Sequence, residues 1–112
     1  MTKLKNQACS ACSPDSALVT TQQVIELMPQ VPEWQLLEVD GVQRLERLFS
    51  FTNFADALVF TNKIGEIAEQ VGHHPMLVTE WGRVKVAWWT HKINGVHVND
   101  FIMAARTDER YC

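Results

Sequence analysis

Residues Asn53 to His91 read NFADALVFTNKIGEIAEQVGHHPMLVTEWGRVKVAWWTH, and the period of the apolar residues changes within that stretch. In its first half Phe54, Ala57, Leu58, Ile64, Ile67, Ala68 and Val71 recur near i, i+3, i+4, the mark of one apolar helix face. Asn53 suits the N-cap and Gly72 the position just past the last turn, so the spacing predicts a helix from Asn53 to about Val71. After Pro75 the period becomes two. Met76 to Glu80 and Arg83 to His91 read as strands joined by a turn at Trp81-Gly82. Val84, Val86 and Trp88 share one face of the second strand; Lys85, Ala87, Trp89 and His91 share the other.

The flanks extend the same logic. Thr21 is placed to cap a helix carrying Val24, Ile25, Leu27 and Met28, which Pro29 and Pro32 end. Trp34 to Val39 reads as a strand, Asp40-Gly41 as a hairpin turn and Val42 to Phe51 as the return strand. Leu45, Phe49 and Phe51 line one face of that strand, and Arg47 shares it, so its charge needs water or a partner there. Asn99 or Asp100 starts a last helix through Phe101, Ile102, Ala104 and Ala105. The order α-β-β-α-β-β-α predicts an α+β fold: a four-stranded antiparallel sheet with helices packed on one face and the other open to solvent or a partner.

At 112 residues the chain fits one domain, with residues 1–17 expected as a flexible leader and 18–112 as the folded unit. Hydrophobic residues at 46% and charged ones at 21% are ordinary for a globular protein, and a net charge of -3 argues against nonspecific nucleic-acid binding. No apolar run approaches the ~20 residues of a membrane span, and no signal-peptide stretch follows Lys3 and Lys5, so a cytoplasmic location is expected. Cys9, Cys12 and Cys112 form an odd set. Cys9 and Cys12 have the spacing of half a zinc site or a redox pair, but no second pair and no preceding strand accompany them, and they read as incidental to the leader.

Three of the four histidines, His73, His74 and His91, fall within 19 residues, and histidine alone exchanges protons near neutral pH without a perturbed pKa. His73 and His74 follow a helix end, whose negative pole favours imidazolium while burial favours the neutral ring. Pro75 steers His74 out of helical geometry. Site residues concentrate at such junctions, and the pattern suits general acid–base chemistry. His97 lies apart in a loop and reads as bland. Zinc is the rival reading; adjacent histidines rarely serve one ion and no His-x-His or HExxH spacing occurs, so no metal is expected. Trp34 and Trp81 sit at strand or turn edges, where a flat heteroaromatic ligand can stack, whereas Trp88 belongs to the core. Glu69, one turn before His73, either orients a histidine or binds a polar ligand edge, or is a solvated helix residue.

Together, Phe49-x-Phe51-x-x-Phe54-x-x-Ala57-x-x-Phe60, then Glu69-x-x-x-His73-His74-Pro75, then Thr90-His91, closely resemble the pterin-4a-carbinolamine dehydratases, over about Thr21 to Asp108. The resemblance implies a hydro-lyase that dehydrates 4a-hydroxytetrahydropterin to quinonoid dihydropterin, recycling the pterin cofactor of aromatic amino acid hydroxylases and itself needing no cofactor. By motif position it implies catalytic roles for His73, His74 and His91, with His74 and His91 as the acid–base pair and His73 assisting. It places Glu69, Pro75 and Thr90 along the pterin site, Trp34 near its rim, and Trp81 where relatives often carry Tyr. It also implies a homodimer or homotetramer and a functional link to a hydroxylase. Two alternatives share these residues: a noncatalytic pterin- or protein-binding module of the dimerisation-cofactor type, and a role in molybdopterin metabolism.

Overall fold

A computed structural model describes residues 3–7 and 17–111. Helix α1 (Thr21–Leu27) leads into strands β1 (Gln35–Val39) and β2 (Val42–Ser50), helix α2 (Phe54–Val71), strands β3 (Met76–Glu80) and β4 (Arg83–Trp88), and helix α3 (Val98–Glu109). The four strands form one antiparallel sheet in the order β1-β2-β4-β3. At the first hairpin Asp40 and Gly41 both take positive φ, 52° and 81°, the twist a two-residue connection requires.

The core lies on one face of the sheet. Leu45, Phe49, Val84, Val86 and Trp88 are fully buried beneath α2 and α3, which present Ala57, Phe60, Ile64, Phe101 and Met103. The spaced aromatics of β2 and α2 meet here. Phe49 lies 4.7 Å and Phe51 5.2 Å from Phe60, ring centre to ring centre, with Tyr111 packed edge-on against all three. Truncating such a buried ring to Ala removes about 3–5 kcal/mol. No helix among the described residues covers the other face, where Val39, Leu48 and Val78 are exposed.

Several expectations shift on contact with the structure. Thr20, not Thr21, caps α1: its side chain accepts from the Gln23 amide while the Gln23 side chain accepts from the Thr20 amide. Trp34 precedes β1 instead of opening it. Strand β4 stops at Trp88, short of His91, because the chain turns back. Thr90 bridges to Gly95, and His91–Ile93 form a single 3-10 turn ending at Asn94 in the left-handed region. Helix α3 is capped by His97, whose Nδ1 accepts from the Asn99 amide, so His97 has a structural task. Within the expected leader, Leu4–Asn6 form a 3-10 turn on α3 with Leu4 buried. Arg106 anchors that turn by donating to the carbonyls of Lys5 and Gln7. Cys9, Cys12 and Cys112 lie outside the described residues.

Candidate active site

Helix α2 ends by a local rule. Gly72 takes φ 66°, its amide returns to the carbonyls of Ala68 and Glu69, and the His73 amide returns to Ala68 at 3.2 Å. That reversal delivers His73, His74 and Pro75 to the start of β3. The register Met76↔Ala87 sets this segment at the same end of the hairpin as the residues that follow Trp88. His73 to Pro75 and Thr90-His91 are thereby brought to one end of the sheet.

His73 is turned inward. It is buried, its ring 5.5 Å from that of Trp88, and its Nε2 lies 2.6 Å from Oδ1 of Asp100. Asp100 is fully buried, and its Oδ2 accepts from the Thr90 hydroxyl at 2.8 Å and the His97 amide at 2.9 Å. A buried carboxylate is tolerated when such donors satisfy it, and the N-terminal pole of α3 adds to them. With Asp100 accepting, His73 donates from Nε2. His73 is therefore locked, and Thr90 is held by the same carboxylate.

His74 and His91 are displayed to solvent instead. His74 Nε2 lies 3.4 Å from Oε2 of Glu69, both side chains exposed. His74, Pro75, Glu69 and Leu77 line an open cleft of about 780 Å³ between α2 and β3, with Gly65 and Ala68 also in its lining. The imidazole of His91 packs 4.8 Å from the ring of Trp89. One end of the sheet thus carries one fixed and two accessible imidazoles, the inventory for moving protons on a bound ligand. Among the described residues, no group of three His, Cys, Asp or Glu side chains is placed to hold a metal ion.

The two tryptophans do not join this cluster within the chain. Trp34 is buried against Phe49, 6.0 Å between ring centres, and donates to Oδ1 of Asp108 at 2.8 Å. Asp108 also accepts from Arg47 at 2.7 Å, the partner that the inward-facing arginine required. Burial pushes the Asp108 carboxyl above its ordinary value of 3.8, against the opposing pull of Trp34 and Arg47. Trp81 is 71% exposed in the turn at the far end of the β3–β4 hairpin. Five residues of strand, about 17 Å, separate that turn from Pro75. The residue the sequence reading passed over is Asp100. Its signal was an aspartate in the first turn of the last helix, a place that also serves capping, so it did not stand out.

Comparison with known proteins gives one consistent outcome. Residues 17–110 match the family described as pterin 4 alpha carbinolamine dehydratase. A provisionally named pterin-4-alpha-carbinolamine dehydratase of Marinobacter nauticus is 55% identical over 111 residues, 99% of this chain and all of the relative. One of Nitrosococcus oceani, also provisionally named, is 54% identical over 109 residues, 97% of this chain and 96% of the relative. Among solved structures, a transcriptional coactivator/pterin dehydratase from Brucella melitensis superimposes with a TM-score of 0.76 at 30% identity, covering 86% of this chain and all of that one.

Proposed function

The chain belongs to the pterin 4 alpha carbinolamine dehydratase family, and from that premise we propose that His74 and His91 are its acid–base pair, with His73 as their fixed support. The reaction is the loss of water from a 4a-hydroxytetrahydropterin, and the enzyme is a hydro-lyase. One imidazolium protonates the departing 4a-hydroxyl, the C4a–O bond breaks, and the other imidazole takes the proton from the neighbouring ring nitrogen as the C4a=N double bond forms. One proton enters and one leaves, so the pair ends in exchanged protonation states and resets through solvent.

The observation that carries this division of labour is the contrast in exposure: His73 is bound to buried Asp100, while His74 and His91 stand open to a ligand. Glu69, Pro75 and Thr90 stay in the proposed pterin site: Glu69 beside His74, Pro75 in the cleft wall, and Thr90 as the anchor before His91. An aromatic amino acid hydroxylase would supply the carbinolamine. Two or four copies would assemble, a reading supported by the unpaired edge of β3 and by Phe54, Leu58 and Val59 exposed on α2. A cytoplasmic site belongs to the same proposal; no helix among the described residues is long and apolar enough to cross a membrane.

The test is ultraviolet absorbance of freshly generated 4a-hydroxytetrahydropterin, with wild type beside His74→Ala and His91→Ala. Each variant is expected to lose about 10²–10⁴-fold in kcat, the worth of a positioned acid or base, with an unaltered thermal midpoint because both side chains are exposed. Wild type no faster than the spontaneous reaction would overturn the activity; active single variants would overturn the assignment of the pair.

A further inference from the structure

We propose that Arg44 is a positioning residue for this reaction, holding His91 in place through the indole of Trp89 from the open face of the sheet. The proposal rests on the assignment of His91 to the acid–base pair. Arg44 lies on β2 one residue before Leu45, which pairs with Trp88 and points into the core, so Arg44 points to the uncovered side. Its guanidinium carbon sits 4.3 Å from the centre of the Trp89 ring, and its Nη1 lies 3.7 Å from Sδ of Met76. Trp89 in turn packs 4.8 Å from the His91 imidazole, ring centre to ring centre, at a tilt of 52°. One side chain therefore touches both segments at the histidine end, the residue after Pro75 and the residue before Thr90-His91.

The guanidinium is held there at a cost. Its Nε is buried with no hydrogen-bond partner among the described residues. A buried donor without an acceptor is unfavourable, and on an uncovered sheet face the remedy is to swing into water. Arg44 stays folded over the indole, where a cation on an aromatic face and a polarizable sulfur attract it. The consequence falls on His91. An exposed imidazole opening a one-turn 3-10 segment samples several rotamers unless a neighbour packs against it. The neighbour is Trp89, and Arg44 fixes the plane of Trp89.

The experiment compares Arg44→Met, Trp89→Leu, the double variant and His91→Ala in the full chain. It reads kcat and KM for dehydration, the thermal midpoint, and the ring-proton resonance of His91, which the Trp89 ring current displaces. Arg44→Met is expected to lower kcat about tenfold, within the range for a misplaced catalytic group, with KM changed less than about twofold. The His91 resonance should move toward that of free histidine. Trp89→Leu should act alike, and the double variant should lose no more than the larger single loss, because the two residues act in series. Where Arg44→Met fails to fold, Arg44→Lys gives the same comparison with a smaller loss, since an ammonium keeps the charge without the flat stacking surface. An unchanged kcat or an unmoved His91 resonance in Arg44→Met, or losses that multiply in the double variant, would overturn the role of Arg44 while inactive His91→Ala left the acid–base pair standing. Active His91→Ala would remove the premise itself.

Discussion

Helix α3 carries two inward-turned aspartates eight residues apart, Asp100 in its first turn and Asp108 near its last, and the chain treats them differently. Asp100 is sealed from solvent, takes hydrogen bonds from His73, Thr90 and a backbone amide, and sits at the helix pole that favours an anion. Asp108 is part-exposed, clasps Arg47 and Trp34 across to β2 and the entry to β1, and sits at the pole that disfavours one. Both are carboxylates pinning a helix to a sheet. Only the first pins it to a histidine whose neighbour, His74, is exposed along a cleft. The lesson is that a buried polar network becomes functional through what its members leave exposed beside them.

The sharpest way to break that contrast is Asp100→Ala. It strands three donors in a buried pocket, so about 3–5 kcal/mol of stability should be lost, and kcat should fall even below the unfolding transition. Asp108→Ala should cost about 1–3 kcal/mol by the same reasoning at a wetter place, with kcat within about twofold of wild type. Denaturant titration beside dehydration kinetics checks both, and equal catalytic losses would mean that the two ends are not separate. Gly72→Ala comes next. Nothing crowds the new methyl, so the expected loss of about 1 kcal/mol is that of forcing a side chain to positive φ. The smallest effect is a pH slope. With its carboxyl raised, folded Asp108 binds protons more readily than the unfolded chain, so its contribution to stability is greatest below 3.8 and falls as pH rises through the folded value. Comparison with Asp108→Asn over that acid range should isolate a slope of that sign, and the opposite sign would mean that Arg47 outweighs burial.

The same contrast shows what the sequence could disclose. All seven elements were legible because each repeats an apolar period of 3.6 or 2 between punctuating residues such as Asn53, Gly72 and Asp40-Gly41. The inward Arg47 announced a need for a partner, though not that the partner was Asp108, 61 residues on. The histidines and the Glu69 spacing stood out because they are local. Asp100 did not, since its bond to His73 joins residues 27 apart through tertiary packing alone. The surroundings of Trp34 were hidden for the same reason: its burial against Phe49 and its bond to Asp108, 74 residues on, arise only from tertiary packing. The early end of β4 was hidden because alternation continues through Trp89 and only the Thr90–Gly95 bridge stops the ladder.

The turn at Leu4–Asn6 has a consequence in time. Apart from a hydrogen bond from the Leu4 amide to the Gln30 side chain, it is held by α3, through Arg106 and Glu109 about a hundred residues further along the chain. A growing chain leaving the ribosome therefore makes its hairpins and α2 while Leu4 still lacks most of its seat, and a segment that precedes both hairpins is among the last to settle. The same holds for His73, which emerges before Asp100 and meets it only when α3 docks. Assembly of the His73–Asp100 pair and closure of the Leu4–Asn6 turn thus await one late event, the arrival of α3.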